Sequence, residues 1–145
     1  TYLAFRELPA ILLALESIME IGRPDILILD GQGILHPRRF GIASHIGVLT
    51  NMPSMGIAKS ILIGKVAGDW EKYDGKKYAP IIVNDEVLGY IIMMKNHKII
   101  VSPGHKIDLS SAVRVVRACF DRYRLPEPLR LAHSKSKEFA RSFSL

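Results

Sequence analysis

A single cysteine, Cys119 in "AVRVVRACF", excludes an internal disulfide and makes a reducing compartment the simplest setting. Its apolar neighbours predict a buried, small apolar role for it. No uninterrupted apolar stretch reaches the roughly 18 to 20 residues of a membrane span, and no basic-then-apolar leader opens the chain. The expectation is a soluble, cytoplasmic protein with no membrane partner. Cysteine and histidine clusters at zinc spacing are missing, and the "GQG" of residues 31–33 lacks the longer glycine pattern of a dinucleotide fingerprint. Acidic residues are the scarcer charge: fourteen Asp and Glu stand against twenty Lys and Arg, for a net charge of +6 and a pI near 9.6. That balance favours phosphate-bearing partners. Repeats and low-complexity linkers are also lacking. With 145 residues, 48% of them apolar, the chain has enough for one core and too little for two ordinary domains. It opens on Thr1 rather than Met and runs straight into "YLAFRE", which reads as a fragment.

The elements alternate with short joints. "LPAILLALESIMEIG", residues 8–22, predicts a mostly buried helix with Pro9 in its first turn and Gly22 as its stop. "DILIL", residues 25–29, is a short apolar run between Pro24 and an Asp-Gly turn, as expected of a central strand covered on both faces. "FGIASHIGVLTN" predicts a second helix and "PSMGIAKS" a second strand. A helix between two such strands implies a parallel crossover. "GDWEKYDGKK" reads as an exposed loop. "APIIVNDEVLGYIIMMKNHKIIVS" reads as three antiparallel strands joined by Asn-Asp and Asn-His turns. From Asp108 as N-cap, Leu109, Ala112, Val113 and Val116 keep the spacing of an amphipathic helix whose stripe covers the sheet. The basic tail, residues 130–145, is a weak last helix or a frayed end.

Several polar residues admit both a functional and a structural reading. Asp30, at the carboxyl end of a buried strand, sits where α/β sheets place ligand and metal groups, or it is only part of a turn. Glu7 complements the positive end of the following helix, or shares a divalent cation with Asp30 through hard oxygen ligands. His36 is a proton-transfer or supporting group in the loop after Asp30, or an ordinary solvated histidine. His45, inside the second helix, reads as structural. Lys59 ends its strand where it can reach a phosphate or simply meet water. His105, in "VSPGHKID", sits on a Pro-Gly turn before a helix, a place for an anion or metal and equally for a capping turn.

The combination is more specific than its parts. "YLAFRELPAIL", "DILILDGQGILHPRRFGIASHIGV", "GIAKS", "VSPGHKIDLSSA" and "YRLPEPLRLAH", in this order and spacing, closely resemble endonuclease V, the repair nuclease that incises nucleic acid near deaminated adenine. The resemblance runs from Tyr2 to His133, weakens between Ile61 and Lys98, and fades in the tail. It implies an α/β, ribonuclease H-like layered mixed sheet with helices on both faces. It also implies Mg²⁺ or Mn²⁺ and hydrolysis of the second phosphodiester bond 3′ to inosine in DNA or RNA. Such chemistry uses a carboxylate-held metal to activate water and neutralise phosphate charge. Carried over by motif, Glu7 and Asp30 resemble two metal-binding acids, His36 the active-site histidine, Lys59 and Arg38 phosphate contacts, and His105 a supporting group. The segments matching Leu3, Gly41, Ile42 and Gly56 resemble the pocket for a flipped-out hypoxanthine, which lacks guanine's exocyclic amine.

Two family features are not found in these residues: a first β-hairpin whose "GxD" strand holds a third metal aspartate, and a Pro-Tyr-Ile-Pro wedge before "AFRE". Tyr2 falls between the place of the wedge and "AFRE" and does not match the wedge tyrosine. The expectation is therefore a partial nuclease domain over residues 1–145, similar to the carboxyl-terminal two thirds of the family, with an incomplete metal site and sheet edges open to dimerisation or edge association. The alternatives are a non-catalytic nucleic-acid-binding relative and, more distantly, another metal-dependent phosphoryl-transfer enzyme on the same fold.

Overall fold

The computed structural model describes residues 3–94, 96–120 and 125–143, apart from the side chain of Leu3. Tyr2 and Lys95 therefore lie outside the described residues. Helix α1 spans Leu3–Ile21, so Pro9 lies inside it rather than in its first turn. Proline removes one helical bond, that to the carbonyl of Phe5. Phe5 is exposed, and water can take the place of that donor. The expectation of a mostly buried helix also fails. Only Leu8 and Leu15 are buried, and Ile21 is 91% exposed. A helix with apolar residues on nearly every face cannot bury them all against a single neighbour.

Strand β1 (Leu27–Asp30), helix α2 (Ile42–Thr50) and strand β2 (Ser54–Ala58) form the expected crossover. The strands run parallel, with Leu27 beside Ser54 and Asp30 beside Ile57. Helix α1 packs on α2. Strand β1 is an edge strand with β2 as its one partner among the described residues, and Leu27 to Leu29 are only half-buried.

The remaining strands are β3 (Lys65–Val66), β4 (Glu71–Tyr73), β5 (Lys76–Val83), β6 (Glu86–Met94) and β7 (His97–His105). The sheet order is β1-β2-β7-β6-β5-β3, with β4 also on β5. The expected Asn-Asp turn joins β5 to β6, with both residues at positive φ. The same geometry at Asp74 and Gly75 closes β4 onto β5. The stretch expected as a loop is thus an exposed hairpin signalled by its Asp-Gly pair. Pro103 and Gly104 form no turn: β7 continues through them to His105, with a register irregularity opposite Ser54 and Met55. Proline is tolerated at such irregularities, and the Pro103 carbonyl accepts the Ile34 N–H at 2.7 Å.

Helix α3 (Leu109–Cys119) is capped as expected, the Asp108 carboxylate accepting the Ser111 N–H at 2.9 Å. The Ser110 and Ser111 hydroxyls also donate to it, and these bonds hold the Asp108 carboxyl well below the usual carboxylate range. Cys119 is half-buried rather than buried. The tail forms helix α4 (Glu127–Ser142), largely exposed but for Leu129.

Helices cover both faces of the sheet, and the alternation of β2 shows how. Met55 and Ile57 point to one face and join Ile99 and Val101 beneath Ala112, Val113 and Val116 of α3. Ser54, Gly56 and Ala58 point to the other. There α2 comes close enough for the Ser54 hydroxyl to donate to the Ala43 carbonyl at 2.7 Å.

Candidate functional site

Because β1 and β2 are parallel, their carboxyl ends emerge together, and the residues that follow share one rim. Asp30 closes β1 and Lys59 follows β2, with the Lys59 Nζ 3.1 Å from Asp30 Oδ2. Both side chains are at least half-exposed, so the pair contributes little to stability. Its importance is placement at the end of the sheet where α/β folds bind ligands.

The loop from Gly31 to Gly41 folds down on the small-residue face. The Gly31 N–H donates to the Ile57 carbonyl at 3.0 Å, and the Gly33 N–H to the Ser102 hydroxyl at 2.9 Å. Gly56 makes this approach possible, since a Cβ there would overlap the Gly31 carbonyl oxygen and lie 2.6 Å from the Gly33 nitrogen. Gly41 is packed in the same way, a Cβ there falling 2.7 Å from Gln32 C and 2.8 Å from Gly33 O. The loop also caps α2, with the Gly33 and Gln32 carbonyls accepting from the Gly41 and Ala43 amides. Gln32 is buried, and its Nε2 donates to the Ser60 carbonyl at 2.9 Å, tying this loop to the residue after Lys59.

The result is a cavity of about 520 Å³ with Asp30, His36, Arg38 and Lys59 among its polar walls, and Phe5, Phe40 and Leu62 among its apolar ones. Gly41 and Ile42, at the start of α2, also line it. Its charge is mainly positive. His36 Nδ1 accepts the Arg38 N–H at 3.2 Å. Burial, followed by nearby positive charge including Arg38 and His45, lowers the His36 pKa. A neutral imidazole whose Nδ1 accepts carries its proton on Nε2. His36 Nε2 is thus the ring atom left free to meet a ligand. Of the arginine pair, Arg38 faces the cavity while Arg39 ion-pairs with Glu86.

Asp30, His36, Arg38, Lys59, Gly41 and Ile42 are therefore brought together, and Gly56 lies directly beneath their loop. Glu7 is on α1 beyond the wall residue Ala4, with its carboxylate 3.9 Å from Arg6, and is not itself a wall. His105 pairs with Ser54 at the start of β2, whereas Asp30 pairs with Ile57 near its end. That separation is about 10 Å along the strand. The Leu3 side chain lies outside the described residues. Reading the sequence missed His45, which lines the cavity with its ring 4.3 Å from that of Phe40 and 5.9 Å from that of Phe5. The usable signal was its spacing, since residue 45 shares a helix face with the wall residue Ile42.

Asp30 suits a hard cation, but among the described residues it is the only carboxylate in the cavity walls. Among the described residues no three His, Cys, Asp or Glu side chains gather as a metal-binding set. These residues do not by themselves complete a divalent-metal centre.

A family model for endonuclease V matches residues 1–134. Endonuclease V of Azotobacter vinelandii is 49% identical over 132 residues, which are 90% of this chain and 58% of that protein. Endonuclease V of Dictyoglomus thermophilum is 45% identical over 139 residues, 94% of this chain and 59% of the relative. The solved endonuclease V of Streptomyces avermitilis superposes with a TM-score of 0.85 at 34% identity, over 99% of this chain and 62% of that one. Endonuclease V of Ciona intestinalis, solved with a 24mer DNA containing an inosine followed by a ribo-adenosine, superposes at 0.82 and 30% identity, over 99% and 67%. The chain thus spans under two thirds of the length of these curated relatives.

Proposed function

This chain belongs to the endonuclease V family, and from that premise we propose that it forms the substrate-binding part of a nuclease that hydrolyses the second phosphodiester bond 3′ to an inosine in DNA or RNA. The observation that carries this reading is the Asp30–Lys59 pair at the parallel strand ends, set in the wall of a basic cavity of about 520 Å³. That volume lies in the range of pockets that enclose a small ligand, such as a single flipped-out purine.

The walls divide by chemistry. Phe40, His45 and Phe5 offer aromatic surface to a base, while Arg38 and Lys59 offer positive charge to its phosphates. Lys59 can turn from the Asp30 carboxylate to a phosphate oxygen, and His36 can donate from Nε2 to the same group or to a water. The Gly41 and Ala43 amides at the start of α2 are already taken by the loop carbonyls, so charge for the phosphates comes from Arg38 and Lys59. Discrimination against guanine would come from the close-packed loop around Gln32 and Gly41, if the base's 2-position faces it. Mg²⁺ or Mn²⁺, expected from the family relationship, would supply water activation and charge neutralisation. Asp30 is the cavity-wall carboxylate that would help to hold it.

The single carboxylate favours a second reading, a nucleic-acid binder without catalysis. Matched single strands carrying one inosine or one guanosine separate the two. Incision of the inosine strand alone, at the second 3′ bond and in the presence of Mg²⁺ or Mn²⁺, is the expected result. Selective binding without incision supports the second reading. Equal incision of both strands contradicts the proposed specificity.

A further inference from the structure

The arginine pair after His36 has two roles, and the cavity accounts for one. Arg38 faces the cavity, whereas Arg39 is not among its walls and ion-pairs with Glu86, the first residue of β6. The loop that carries both arginines is fixed at its two ends. On one side Leu35 is fully buried in the core with Ile81, Leu88 and Ile91, so close to β6 that a Cβ on Gly89 would lie 3.0 Å from its Cδ2. On the other, the Gly41 N–H donates to the Gly33 carbonyl at 2.9 Å where α2 begins. Between them His36 is half-buried, and Pro37 to Phe40 are exposed. Among the described residues, the hydrogen bonds of this tip stay inside the loop: the His36 N–H donates to the Ile34 carbonyl, the Arg38 N–H to His36 Nδ1 and the Arg39 N–H to the His36 carbonyl. Ties to other elements come from the Phe40 ring on His45 and the Arg39 guanidinium on Glu86.

We propose that Arg39 and Glu86 are positioning residues, whose ion pair holds residues 36–40 against the β5–β6 turn so that His36 and Arg38 face the cavity. The inference rests on the reading of that cavity as the substrate site. Arg39 has a φ of +50°, a left-handed conformation that few side chains adopt and that persists where the surroundings enforce it. Glu86 supplies such a constraint from a turn that is itself tight, with Asn84 and Asp85 both at positive φ. The two charged side chains are about half-exposed, at 47% and 59%, so their pair shifts an equilibrium by no more than about fivefold. That factor is small against unfolding of the whole chain. For local opening of a five-residue tip with few other ties, it is a large part of the balance.

Glu86→Gln is the discriminating variant, because it removes the partner without touching the loop. Chemical shifts of the His36 imidazole through a pH titration, assigned with His36→Gln, read the position of the loop with no substrate present. In the closed loop burial, followed by nearby positive charge including Arg38 and His45, keeps the imidazole below its ordinary value. Loss of a negative charge alone would lower the His36 midpoint further or leave it in place, whereas release of the loop into water raises it towards 6.5. A rise is the expected result. Exchange of the Arg39 and Gly41 amides should quicken by up to about fivefold, with Gly33 unchanged, and the charge swap Arg39→Glu/Glu86→Arg should restore their protection. Labelled inosine strands should bind Glu86→Gln up to about fivefold more weakly. An unmoved or lowered His36 midpoint with unchanged exchange overturns the proposal, as does a folded charge-swap protein whose protection is not restored. Failure of the substrate reading is distinguishable, since wild type would then bind inosine and guanosine strands alike while the imidazole and exchange changes remained.

Discussion

The two faces of the sheet at β2 are made of different material. One carries Met55 and Ile57, packed beneath Ala112, Val113 and Val116 of α3. The other carries Ser54, Gly56 and Ala58, on which α2 and the 31–41 loop settle at hydrogen-bonding distance. Large side chains fill space and exclude water, which stabilises the fold. Small ones let backbone approach backbone, which shapes a cavity at the strand ends. A single five-residue strand thus serves the main core on one side, and on the other both the site and a second core in which Ala58 joins Leu35, Ile81, Ile91 and Ile100.

The largest effect that sharpens this contrast belongs to the large-residue face. Ile92 is fully buried in the cluster with Met55 and Ile57, so Ile92→Ala should lower unfolding free energy by about 2–5 kcal/mol. Strand affinity at temperatures where the variant is folded should be unaltered. Denaturant unfolding alongside a binding titration checks both halves, and a change in affinity without loss of stability would break the division.

Gly56→Ala is the counterpart on the small-residue face. Its Cβ would meet the backbone of residues 31–33, and such overpacking costs about 1–3 kcal/mol. Because the neighbours are main chain rather than a flexible side chain, the loop must lift, and amide exchange should speed up at Gly31 and Gly33 first. Exchange that speeds up instead throughout β5, β6 and β7 would mean that the two faces are not separable.

The smallest effect is electrostatic and confined to the loop. The His36 pKa lies below its unfolded value of 6.5, so the unfolded chain takes up the proton first as pH falls. The stability His36 contributes is complete above that value and is lost as pH drops through the folded one. Between pH 8 and 5 the wild type should therefore lose more stability than His36→Gln. Parallel stability curves for the two proteins would show that the half-buried His36 is not destabilised in its charged form.

Legibility in the sequence followed the same division. Strand alternation, the Asn84-Asp85 turn and the Asp108 cap are local, and each appeared as expected. The Asp74-Gly75 hairpin was equally local but was masked by polar neighbours. Positions set by distant chain were not readable. Pro103-Gly104 stays in the sheet because Met55 lies beside Pro103 in β2 and the Ile34 N–H of the loop donates to the Pro103 carbonyl. Asp30 and Lys59 were legible as strand-end residues, but their 3.1 Å contact depends on a register that no short window contains. His45 was read as structural because a helix-interior histidine carries no sign of the loop that will cover it.

Whether the small-residue face of β2 shapes a pocket selective for hypoxanthine is read most directly from the ratio of inosine-strand to guanosine-strand affinity in wild type and Gly56→Ala. If the loop seated on Gly56 makes the discrimination, the ratio falls towards one in the variant while the guanosine strand still binds through its phosphates. An unchanged ratio in a folded Gly56→Ala protein would contradict the account.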